Sequence, residues 1–88
     1  MKRHKAGELL VAIWDTRYVA EPGGPLFVDN VGRLDAGSMV IAVTDEFDFT
    51  LRTGSSVSVE PYIKVLTPEG KRVYLDPRVM RSPAQADA

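Results

Sequence analysis

Asp45, Glu46 and Asp48 crowd three carboxylates into four positions, the densest group of this chain that could do chemistry. Oxygens packed this closely suit a hard cation. A calcium loop, however, needs a mid-loop glycine and a closing glutamate that this run lacks. It reads as an acidic loop. His4 is the single histidine, and there is no cysteine anywhere, so a zinc site of the usual composition is excluded. Set in the basic stretch Lys2-Arg3-His4-Lys5, His4 reads as a surface residue. Ser38, Ser55 and Ser56 lack the glycine-flanked nucleophile pattern and a neighbouring histidine base. Gly23-Gly24 lacks the lysine and hydroxyl residue of a phosphate loop. No catalytic residue, cofactor or metal ligand is expected.

The elements that must carry any site are strands. Residues 9–14 form an apolar run rich in β-formers, closed by Asp15-Thr16. A turn-rich stretch follows around Glu21-Pro22-Gly23-Gly24-Pro25, with a short apolar piece, Leu26-Phe27-Val28. Paired prolines and glycines continue neither a helix nor a central strand. Residues 38–44 are a second strand, introduced by Asp35-Ala36-Gly37. Residues 47–51 and 57–59 alternate apolar with polar, and Thr53-Gly54-Ser55-Ser56 suits a hairpin loop between them. Residues 62–67 and 72–75 form a tight hairpin about Thr67-Pro68-Glu69-Gly70, with proline where φ is near −65° and glycine where φ is positive. Helical periodicity is absent except for a single turn at Pro77-Arg78-Val79-Met80.

With 88 residues the chain is one domain, and 44% apolar with 26% charged residues marks it as folded rather than disordered. Residues 1–6 read as a mobile basic arm, 7–81 as the folded domain and 82–88 as a mobile tail. No apolar run approaches the roughly 18 residues that span a bilayer, and the basic start is not followed by a signal-peptide core. No membrane partner and a cytoplasmic location are expected.

Charge is uneven along the chain. Lys2, Arg3 and Lys5 oppose Glu8 at the start, whereas residues 14–60 carry eight acids against three arginines. Residues 61–81 are basic again, with five cations against Glu69 and Asp76. Interleaved strands would mix these signs on the folded surface.

The fold class expected is all-β: a small, five-stranded, partly open barrel with a long first loop and an inserted hairpin. Ala12-Ile13-Trp14-Asp15 is similar to the motif that ends the first strand of Src-homology-3-like barrels. Leu34-Asp35-Ala36-Gly37-Ser38 resembles their diverging turn, and Asp76 to Met80 the single turn before a last short strand. The run Tyr62-Ile63-Lys64-Val65-Leu66-Thr67-Pro68-Glu69-Gly70-Lys71 looks like uncharacterised barrel proteins of tailed bacteriophages. In peptide-binding members of the fold, aromatics line a groove for proline-rich ligands. Trp14, Tyr62 and Pro77 match those positions here, whereas Met80 replaces an expected tyrosine and residues 45–56 replace a short loop.

Two function classes remain open. One is a non-catalytic protein-interaction or structural module, a phage accessory or virion-associated protein, binding another protein through Trp14, Tyr18, Tyr62, Tyr74 and Pro77. Its location would then be host cytoplasm or virion. The other is a nucleic-acid-binding barrel with Lys64, Lys71, Arg72, Arg78 and Arg81 on phosphates. An isoelectric point near 5.7 ranks the second below the first.

Overall fold

A computed structural model describes residues 3–22 and 32–86. Strands dominate: β1 Leu9–Ala12, β2 Thr16–Tyr18, β3 Gly32–Leu34, β4 Met39–Ala42, β5 Phe47–Thr53, β6 Ser56–Leu66, β7 Arg72–Leu75 and β8 Met80–Arg81. A 3₁₀ turn, Pro77–Val79, precedes β8, and one α-helical turn, α1 Pro83–Ala86, follows it.

The main sheet runs β5-β6-β4-β1-β8, with β7 also paired to β6, and it curls into a half-barrel. All its pairings are antiparallel. β2 and β3 form a separate ribbon. That ribbon is joined to the sheet where Val19 and Tyr74 exchange backbone hydrogen bonds of 2.9 and 2.8 Å.

Alternation explains which face is buried. Leu10 and Ala12, Val40 and Ala42, Ile63 and Val65, and Val73 and Leu75 project to one side, where Met80, Tyr18 and Leu34 close over them. Each fully buried aliphatic side chain such as Leu10 or Ile63 contributes about 1.5–3 kcal/mol through removal from water. On the opposite face of β1 and β4, Leu9, Met39 and Ile41 stay exposed.

Tyr18 enters the core because its cross-strand partner is a glycine. A Cβ on Gly32 would lie 2.1 Å from the Tyr18 hydroxyl oxygen, so the tyrosine ring occupies space that any side chain there would take.

The all-β class holds, and the described residues contain eight strands where five were expected. The differences from the sequence reading lie in two places. β2 and β3 lie in and beside the stretch read as a long loop, whose centre, residues 23–31, is outside the described residues. Residues 57–59 and 62–66 are one strand, not two, because β6 runs through Pro61. The missing proline N–H is tolerated there because β7 pairs with β6 only from Ile63 onward. The last strand, β8, follows the 3₁₀ turn, whose Arg78 N–H is met by the Asp76 carboxylate and whose Val79 N–H is met by the Asp76 carbonyl.

Residues 3–6 and 83–86 are tied to the domain. His4 and Glu46 are joined twice: the Glu46 N–H donates to the His4 carbonyl at 2.9 Å, and the His4 N–H donates to Glu46 Oε1. The Ala6 N–H donates to Asp45 Oδ1, and Arg3 bridges Glu46 and Asp48. In the tail, α1 packs on β1 and β8. The basic arm and acidic loop thus neutralise each other, across more than forty residues of sequence.

Candidate interaction groove

Hairpin register places the aromatics. β5 and β6 pair continuously from Thr53–Ser56 back to Phe47–Tyr62. Residues opposite one another share a face, so Phe47, Phe49 and Leu51 lie on the same side as Tyr62 and Glu60. Across the other edge of β6, Lys64 lies opposite Tyr74. Ile63 and Val65 point to the core, so Tyr62 and Lys64 point away from it.

The rings form one cluster. Phe47 and Tyr62 are stacked with centroids 6.4 Å apart, while Phe47–Tyr74 and Phe49–Tyr62 meet edge to face at 6.1 Å. These are the offset and T-shaped arrangements that the ring quadrupole favours. Lys64 Nζ lies 5.5 Å from the Tyr74 centroid, a cation–π contact that holds the ammonium beside the cluster.

Beside the cluster an open groove of about 520 Å³ runs between the β2 end and the β5–β6 hairpin. Its walls include Arg17, Val19, Leu51, Glu60, Tyr62 and Tyr74. Apolar walls with a few placed charges are the usual make-up of a binding groove.

Of the residues singled out in the sequence, Tyr62 and Tyr74 come together here. Trp14 is exposed over 65% of its surface and lies outside the groove's lining. Tyr18 and Pro77 are buried, so they offer little contact surface. Phe47, Phe49 and Leu51 were missed because they belong to the segment read as an insertion. Their signal was present: pairing backwards from the Thr53–Ser56 turn puts Phe47 opposite Tyr62.

The basic residues do not gather into one free surface. Arg78 is clamped to Asp76 at 2.7 Å and reaches Glu60 at 3.8 Å. The hydrogen bond and charge of Asp76 raise the Arg78 pKa. On Asp76, burial pushes the pKa up, but the bonds from the Arg78 side chain and backbone N–H outweigh it, and the carboxyl lies below its ordinary value. Arg81 donates to the Arg78 and Met80 carbonyls. Lys71 and Arg72 are exposed at the far end of the β6–β7 hairpin.

The acidic loop holds backbone and arginine, as described above. His4 is half-buried, its Nε2 donating to the Met80 carbonyl at 3.1 Å, rather than an exposed arm residue. Among the described residues no group of three or more metal-ligating side chains converges, and no helix is long and apolar enough to cross a membrane.

Comparison of the chain with protein-family models, with curated proteins and with solved structures finds no match.

Proposed function

We propose that this chain is a non-catalytic protein-interaction module whose contact surface is the groove beside Phe47, Phe49, Tyr62 and Tyr74. The single observation that carries this reading is the half-exposed aromatic cluster outside the core. Rigid rings supply large contact area at low entropic cost, which is why aromatics dominate interface anchors. A Src-homology-3-like identity of the barrel is supported by the 3₁₀ turn leading into a short last strand that pairs with β1. The resemblance to phage barrels makes a virion-associated or accessory role, in virion or host cytoplasm, the corresponding biological setting.

Recognition of nucleic acid is the competing reading, and the clamped state of Arg78 and Arg81 disfavours it. Phosphate contacts need cations that are free to displace the counterions condensed on the nucleic acid.

Affinity capture from phage-infected bacterial lysate, with and without nuclease, tests the proposal. The expected result is a protein retained after nuclease treatment and lost with Tyr62→Ala, while Lys71→Glu with Arg72→Glu retains it. Trp14→Ala, a surface change outside the groove, serves as the control that keeps binding. Capture abolished by nuclease, or by the charge reversals alone, would favour nucleic acid instead.

A further inference from the structure

We propose that β5 is a self-pairing sheet edge through which two copies of this chain join, related by a two-fold axis at Thr50. β5 is the terminal strand of the main sheet, and among the described residues only β6 pairs with it. From Phe47 onward its second edge therefore presents, among the described residues, a row of N–H and C=O groups with no strand beside it, the arm bonding the backbone just before it at Glu46. Natural edges are usually shielded by short length, by proline, by bulges or by charged side chains, lysine above all. Phe47-Asp48-Phe49-Thr50-Leu51-Arg52-Thr53 contains no proline or glycine, pairs without a bulge over its whole length, and carries one charge of each sign.

Those two charges select the partner. An antiparallel pairing of β5 with its own copy, centred on Thr50, sets Asp48 opposite Arg52 of the second copy, and Arg52 opposite its Asp48. On the other face the same register sets Phe49 against Leu51. Acid meets base and Phe49 meets Leu51, each twice by symmetry, Thr50 meets its own copy, and only the strand ends set Phe47 against Thr53. Centring on Phe49 or Leu51 leaves Asp48 or Arg52 opposite Thr50. Centring between two residues would bring the apolar face against the polar one. Only the Thr50 centre pairs the strand's own charges.

The side chains are poised for it. Arg52 is exposed and forms no ion pair among the described residues. Asp48 is exposed too, and Arg3 takes only its Oδ1, which leaves Oδ2 for a second donor. Val57 and Val59, opposite Arg52 and Thr50 on β6, are 58% and 59% exposed. In the joined sheet they flank the new charge pairs and lose part of that exposure. The joined sheet would run β6-β5-β5-β6 across the axis.

Thr50→Cys tests the register directly, because the chain has no other cysteine. Directly opposed strand positions have Cα atoms about 4.5–5.5 Å apart, within disulfide reach. Mild oxidation of the full chain is expected to give a covalent dimer far faster with Thr50→Cys than with Ser55→Cys, which lies at the hairpin tip. Sedimentation equilibrium should show a reversible dimer that Arg52→Asp weakens by about tenfold or more. Asp48→Arg combined with Arg52→Asp should restore it, since the swap rebuilds both pairs with reversed polarity. Circular dichroism of each variant checks that strand content is kept, and Thr50→Cys leaves the charges untouched if a reversal perturbs the fold. A chain that stays monomeric at every concentration, equal cross-linking at the two positions, or a dimer indifferent to Arg52→Asp would each overturn the proposal. None of these readouts depends on what the aromatic groove binds.

Discussion

Phe47 and Tyr62 face each other directly across β5 and β6, their ring planes 27° apart and their centroids separated by 6.4 Å. Neither ring belongs to the hydrophobic core, and Phe47 also meets Tyr74 edge to face. The pair thus links β5, β6 and β7 on the outer face. Phe47→Ala should therefore cost about 2–3 kcal/mol, since a half-buried ring and two aromatic contacts go together. Phe47→Leu should recover most of the buried area and lose only the ring geometry, about 0.5–1.5 kcal/mol. Urea unfolding of both variants checks the ordering, and equal losses would show that the ring geometry contributes nothing.

Gly70 has φ of 85°, and its N–H donates to the Thr67 carbonyl at 2.9 Å, closing the turn begun by Pro68. Space is not the constraint, because a Cβ there would meet nothing within 4 Å. Backbone strain is. Gly70→Val should cost on the order of 1–2 kcal/mol, a large share of a small domain's stability. Gly70→Asn should cost less, since asparagine tolerates the left-handed region. The denaturation midpoints of the two variants decide.

Gly32 is constrained by space instead. Adding one methyl drives into the Tyr18 ring, which is held between the core and the β2–β3 ribbon. Gly32→Ala is expected to destabilise by about 1–3 kcal/mol, the usual cost of overpacking. Tyr18→Leu removes the obstacle, so the double variant should lose less than the two single losses added together. Strict additivity in a double-mutant cycle would show that the two residues do not compete for the same space.

Asp76 has a folded pKa below the ordinary aspartate value of 3.8, held down by Arg78 against the opposing effect of burial. A depressed carboxyl stabilises the fold at pH above the ordinary value and ceases to do so as pH falls through the folded one. Stability should therefore hold from neutral pH down to about pH 4 and decline below it. Asp76→Asn should lower stability at neutral pH and flatten the acid limb, because the amide still accepts from the Arg78 N–H but carries no charge to pair with the guanidinium or to titrate. Asp15 is shifted in the same direction by the Ala36 N–H and by Arg33, so part of the acid limb should survive the substitution. A pH profile of thermal midpoints identical to that of the parent chain would refute the assignment.

Local chemistry was readable from the residues. The Pro68–Gly70 turn, the Asp76–Pro77 turn and the Thr53–Ser56 hairpin each depend on side chains within a few positions of the bend, so residue type alone points to them. Alternation likewise marked β5 and the start of β6, because a strand's faces follow a period of two whatever it packs against. Other features depended on neighbours that only the folded chain supplies. Pro61 interrupts a strand on paper, yet β6 passes through it because that stretch has no β7 partner. Tyr18 looked like a contact residue until Gly32, its cross-strand partner, opened a place for the ring. The basic arm and the acidic loop read as two independent solvated runs, and tertiary structure joined them through Arg3, His4 and Ala6. Turn geometry is set by torsions within a few residues, whereas these outcomes are set by contacts between residues more than ten positions apart, whose distances no local pattern encodes.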